Sequence, residues 1–181
     1  MTGSVRAPIT EGLSQQVASL HASFLEAAAD GTVDRDILAG GERVRLRFAS
    51  MAMAERLLPA FAHLHCDDIA PPALTVHIWD SATRGTTVPP TPPGPPEENP
   101  GAWRVHDGAD ERWAFRPVVG ELTVVAPMLG LAWFWMPDAA AVPLYERAAP
   151  LRLVWHWWLP GRGRHLVHAG AAGREIGRAH V

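Results

Sequence analysis

Apolar positions along the chain switch between two periods, and the switches mark out its elements. Leu13, Val17, Leu20 and Phe24 recur at three- and four-residue spacing, which predicts a helix with one apolar face, capped by Thr10 and opening at Glu11. Two strands are expected over 33–39 and 42–48, joined by Gly40-Gly41, a pair suited to a tight hairpin. In the second, Val44, Leu46 and Phe48 alternate with Arg43, Arg45 and Arg47, the pattern of a half-buried strand with a solvated outer face. Helical spacing returns at Met53, Leu57, Phe61 and Leu64, with Pro59 kinking or restarting the helix. Leu74, Val76 and Ile78 then alternate with Thr75, His77 and Trp79 in a strand that ends at Asp80.

Four further alternating stretches, at 102–107, 111–117, 121–126 and 129–136, are separated by the turn signals Asp107-Gly108-Ala109-Asp110 and 127–130. Strands joined by short turns make a meander, so the middle of the chain reads as a mostly antiparallel sheet. Leu151, Val154, Trp155, Trp158 and Leu159 share one helical face, with Pro150 at the first helical position and Pro160-Gly161 as the stop. Residues 165–170 read as a short strand buried on both faces. The expected class is α+β: a mostly antiparallel sheet flanked by N-terminal helices, followed by a C-terminal helix–strand unit.

Composition changes this picture in four places. Seven prolines fall between Pro89 and Pro100, with Glu97 and Glu98 near the end, so 84–101 is expected to be an extended surface loop. The net charge of -3 argues against a general nucleic-acid or anionic-membrane binder. All sixteen basic residues are arginine, and a P-loop kinase needs a lysine on its β- and γ-phosphates. One cysteine, Cys66, excludes an internal disulfide framework, and no apolar run is long enough to cross a bilayer. Cytoplasmic is the expected location. His63, His65, Cys66, Asp67 and Asp68 crowd together, but their spacing matches no strong zinc pattern, so a polar helix end is the expectation rather than a metal site. The eight tryptophans are expected in the core or an interface, because each removes about 150–250 Å² from water when buried. The spacing of Trp133 and Trp135 against Trp155, Trp157 and Trp158 means that they cannot all face one side.

YERAAPLR (145–152), WHWWL (155–159) and LVHAGAAG (166–173), with RVRLRFA, LTVHIWDSAT and LAWFWMPDA upstream, resemble bacterial serine kinases related to HPr kinase/phosphorylase. In that family a strand like 166–173 leads through a hairpin into G-x-x-x-x-G-K-[ST], which does not occur here. The resemblance implies an N-terminal part ahead of the catalytic core, with ATP and Mg2+ as cofactors of the parent and a serine-bearing protein or peptide as its substrate. It offers one site residue, His168, near the phosphates. The implied division is a loose N-terminus at 1–10, an N-terminal α+β region at 11–144, and the start of a kinase-like core at 145–173. Residues 174–181 read as a non-native tail, since IGRAHV is what a common sequencing-adapter string encodes. Without the phosphate-binding loop and its lysine the chain is expected to be inactive, and with strand 166–170 lacking its partners it is expected to self-associate. The alternatives are a non-enzymatic module that recognises a peptide, and, with less support, a metal-dependent hydrolase using His63, His65 and Asp67 with a distant histidine.

Overall fold

In the computed structural model of the chain, residues 14–92 and 101–166 are described. Helix α1 (Gln15–Ala27) buries Val17, Leu20 and Phe24, as their spacing implies. Its cap is Ser14, whose hydroxyl accepts from the Val17 N–H and donates to Glu111 at 2.7 Å. The expected cap, Thr10, lies outside the described residues, as does Leu13. Strands β1 (Val33–Ala39) and β2 (Glu42–Phe48) pair antiparallel about Gly40-Gly41 with the expected bounds. Helix α2 (Met51–Leu57), capped by Ser50, tightens into a 3-10 helix (Leu58–Leu64) at Pro59, which has no N–H for the α-helical ladder.

Strand β3 (Leu74–Asp80) follows, then the meander: β4 (Arg104–Asp107), β5 (Arg112–Arg116), β6 (Glu121–Ala126) and β7 (Leu131–Met136). The sheet order is β1-β2-β3-β7-β6-β5-β4. Most pairs are antiparallel, yet the centre is not: β2 runs parallel to β3, and β3 parallel to β7. Two features produce this departure from a simple meander. The crossover through α2 returns the chain in the direction of β2, and β7 enters beside β3 instead of at an edge. Both β3 and β7 are buried almost throughout, Thr75 and Leu131 being the half-covered residues. Strands with two covered faces belong at the centre of a sheet.

The N-terminal helices do not flank the sheet together. On one face α2, its 3-10 extension and α4 (Arg152–Trp158) cover Val44, Leu46, Phe48, Val76, Ile78 and Phe134. On the other, α1 covers Trp79, Trp113, Leu122, Val124, Trp133 and Trp135. Pleat parity thus sends Trp133 and Trp135 to the α1 face, while Trp155 and Trp158 pack on the opposite face and Trp157 is half-buried. Trp155 is buried and Arg152 exposed, as the helical spacing requires.

Pro150 is not the first residue of that helix. It sits between α3 (Leu144–Ala148) and α4. A residue before proline is disfavoured in the α region, and Ala149 (φ -141°, ψ 72°) ends α3 accordingly. Leu151 then adopts φ 61°, unusual for a residue with a side chain. Two contacts hold it there. The Leu151 N–H donates to Glu146 Oε1 at 2.6 Å, and the Trp155 Nε1–H donates to the Pro150 carbonyl at 2.9 Å. Residues 164–166 carry no regular structure, and the rest of the expected strand lies outside the described residues.

Candidate functional site

Antiparallel register sets Asp34 opposite Arg47 and Asp36 opposite Arg45, all on the α1 face of the sheet. Arg47 clasps Asp34 through Nε (3.0 Å) and Nη2 (2.7 Å). Arg45 holds both oxygens of Asp36 at 3.0 and 3.1 Å, and Arg43 Nη2 reaches the same carboxylate at 2.6 Å. Burial pushes both carboxyls up, but the guanidinium hydrogen bonds outweigh it and hold Asp34 and Asp36 below the usual carboxylate range. The arginine row is therefore half-buried and paired, not the freely solvated face that alternation alone implies.

Parallel register then carries the rows inward. Arg45 lies beside Thr75 and Leu131, and Arg47 beside His77 and Trp133. Arg45, Arg47, Thr75, His77 and Leu131 form one side of a cleft of about 560 Å³ at the amino-terminal ends of β3 and β7, beside the carboxyl-terminal half of β2. Pro71-Pro72 and Pro127 wall it, and Arg162 enters from the turn after α4. Among the described residues no carboxylate lines it. Gly130 closes the wall at φ 63°, where a Cβ would come within 2.9 Å of the Ala73 carbonyl oxygen. The left-handed conformation and the close approach both demand glycine there.

His77 lines the inner end of the cleft and is 1% exposed. It stacks on Trp133 (5.7 Å between centroids, 21°) and meets Phe24 and His21 edge-on at 4.6 and 5.0 Å. Burial first, then the neighbouring His21 and Arg47, push its pKa down to about 3, so the ring is neutral. His21 is also lowered by burial, and its Nδ1 accepts the Trp133 indole N–H at 3.3 Å. His77 Nδ1 has no hydrogen-bond partner among the described residues. A neutral imidazole carries one donor and one acceptor nitrogen.

At the opposite ends of the same strands Asp80 is 1% exposed, and its oxygens are occupied. Ser50 Oγ donates to one at 3.1 Å, and the Thr83 N–H and hydroxyl donate to the other at 2.8 and 2.7 Å. That carboxylate braces the end of β3 to the cap of α2. A second buried group lies under α3. Glu121 Oε2 accepts from the Tyr145 hydroxyl at 3.2 Å, and Arg116 Nη1 donates to that hydroxyl at 2.9 Å. Burial, then the charge of Glu121, push Glu146 up to about 7.

Of the residues singled out in the sequence, His168 lies outside the described residues. His65 Nε2 pairs with Asp67 Oδ1 at 2.9 Å. Among the described residues no three His, Cys, Asp or Glu side chains converge where a metal ion could sit. In the basic turn, the Arg162 guanidinium lies 4.0 Å above the Trp158 ring and the Arg164 side chain rests on Gly40 and Gly41. Alternation had placed Arg45 and Arg47 on one face of β2, and Thr75 and His77 on one face of β3. Only the parallel register, which side-chain parity does not encode, makes the two sets a single surface. Chemically the cleft offers cations and hydrogen-bond donors, so it is suited to holding an anion. Among the described residues no helix is long and apolar enough to cross a membrane. No protein family, curated protein or solved structure matches the chain.

Proposed function

We propose that this chain is the N-terminal part of an HPr-kinase-like, ATP-dependent serine kinase, acting in the cytoplasm, and that it binds the protein or peptide substrate without transferring phosphate itself. One observation supports this reading above the others. The stretches that carry the resemblance are far apart in sequence, yet RVRLRFA forms β2, LTVHIWDSAT forms β3 and its brace, and LAWFWMPDA forms β7. These are the three adjacent parallel strands, and YERAAPLR is the α3–α4 junction, whose Leu151 packs into the core beneath them. Scattered likeness thus becomes one contiguous structural unit. The lysine-free composition is consistent with chemistry supplied elsewhere, since phosphoryl transfer rests on a phosphate cradle, its lysine and magnesium.

Genomic sequence past residue 173 and calorimetry together test the proposal. The gene should continue into G-x-x-x-x-G-K-[ST], and only the longer protein should bind ATP with Mg2+ and label a serine. Saturable, magnesium-dependent ATP binding by the 181-residue chain would defeat it, as would a continuous native gene without that motif. A non-enzymatic peptide-binding module is the second reading, favoured by the donor-rich cleft.

A further inference from the structure

We propose that the cleft at the amino-terminal ends of β3 and β7, beside the carboxyl-terminal half of β2, is a binding site for a phosphate monoester, its phosphate held by Arg45, Arg47 and Arg162. The proposal rests on reading that cleft as a ligand site and not on the kinase assignment.

Three features of the lining carry it. Arg45 and Arg47 each spend Nε and Nη2 on an aspartate. A guanidinium has five N–H donors, so the Nη1 group of each is left over and the aspartate fixes the direction of the fork. Arg162 comes from the turn after α4, its guanidinium lying over the buried indole of Trp158, with no carboxylate partner among the described residues. Arg45 and Arg47 thus each face one aspartate, and Arg162 adds a guanidinium with no acid partner among the described residues, in a chain of net charge -3. The grouping is not a reflection of a basic protein.

Ligand class follows from the number and placement of the donors. A planar carboxylate is satisfied by one bidentate guanidinium. Three guanidinium groups lining one cleft, with Thr75 beside Arg45, suit a tetrahedral dianion with three free oxygens. At about 560 Å³ the cleft also has room for an organic body beyond the phosphate. Leu131, Met128 and Pro127 supply an apolar wall for it. His77, with Nδ1 unpartnered and the ring 1% exposed, sits at the inner end as a neutral hydrogen-bonding group.

The test is calorimetric titration of the 181-residue chain with O-phospho-L-serine, with serine and inorganic phosphate as controls at matched ionic strength. Saturable one-to-one binding is expected for phosphoserine, weaker binding for inorganic phosphate, and none for serine. Arg162→Glu should weaken phosphoserine binding by about tenfold or more, the loss of one charge-assisted hydrogen bond, without moving the thermal midpoint. Arg162→Gln, which keeps a stem over Trp158, should shift affinity in the same direction. A phosphoseryl peptide binding tighter than the free amino acid would identify a protein source. Glycerol 3-phosphate binding tighter would identify a metabolite, and either result supports the shared chemistry. Equal binding of serine and phosphoserine, or unchanged affinity in both Arg162 variants, would overturn the proposal. A gene lacking the phosphate-binding loop would defeat the kinase reading and leave this titration untouched.

Discussion

On the face beneath α2 and α4 the sheet presents Val44, Leu46, Phe48, Val76, Ile78 and Phe134, closed over by Met53, Leu57, Val154 and Trp158. On the face beneath α1 it presents Trp79, Trp113, Trp133 and Trp135, and beyond the helix it turns to paired arginines. One face is sealed by several elements and is mainly aliphatic. The other has, among the described residues, a single helix, which leaves the β1–β2–β3 end of that face for charge. Function is expected where the covering stops, because an interior filled to crystal-like density has no room for a ligand.

The largest effects should come from the aromatic side of this comparison. Trp133 is fully buried, stacks on His77 and donates to His21. Trp133→Ala should lower unfolding free energy by about 3–5 kcal/mol, and Leu46→Ala on the sealed face by about 2–5 kcal/mol. Urea titration of both variants checks this. A Trp133→Ala loss below about 1 kcal/mol would mean that α1 lies on its face without being held by it.

Glu146→Ala should cost less, about 1–3 kcal/mol, because it leaves the buried Leu151 N–H without its acceptor. Glu146→Gln keeps an acceptor oxygen and should recover most of the loss. Equal destabilisation by the two substitutions would show that the carboxylate charge matters, and not the hydrogen bond to the bend at Leu151.

The two faces should also respond to pH with opposite sign. Folding lowers His77 from 6.5 to about 3, so the folded state binds fewer protons than the unfolded chain. Stability on the α1 face is then full above pH 6.5 and is lost as pH falls from there towards 3. Folding raises Glu146 from 4.5 to about 7, so its contribution is full below pH 4.5 and is lost as pH rises through 7. Each slope approaches about 1.4 kcal/mol per pH unit, one proton's worth, so between pH 4.5 and 6.5 the two oppose each other. Glu146→Gln should reduce the loss at rising pH, leaving the smaller part due to Glu121, which burial also raises, and expose the acid-side loss from His77. A variant whose stability still falls as steeply from pH 5 to 7 would place that titration elsewhere.

How much of this was legible in sequence differs between the two faces. Strands β2 to β7 were readable from alternation, because period two survives whichever partner a strand takes, and β1 from the Gly40-Gly41 hairpin that joins it to β2. The parallel centre was not, since Arg45 and Thr75 keep the same parity whether their strands run parallel or antiparallel. The cleft inherits that blindness. Its arginines looked like a solvated row until the register set them beside Thr75 and His77. The α3–α4 junction failed for a different reason. Proline at the first helical position is a good local rule, but here a carboxylate five residues upstream of Leu151 takes over the capping, and no local pattern announces that pair. The C-terminal strand and His168 lie outside the described residues.

The smallest effect sharpens the comparison most. Asp34 and Arg47 are each about one-third exposed, at 33% and 32%, and a pair so open to water contributes about 0–1 kcal/mol and is screened by salt. Asp34→Asn should therefore leave the unfolding free energy within about 1 kcal/mol of the parent, with the difference shrinking as salt is added. Its effect on the cleft should be larger in proportion. The aspartate competes with any bound anion for Arg47, so removing its charge raises the positive potential facing the ligand while the amide still orients the fork. Phosphoserine affinity should rise in Asp34→Asn, and calorimetry at two salt concentrations reads both quantities. A loss of affinity would mean that the aspartate's main part is to hold Arg47 in place. A stability loss beyond about 2 kcal/mol would mean that the charged end of the α1 face is structural, and the contrast between a sealed face and a working one would fail.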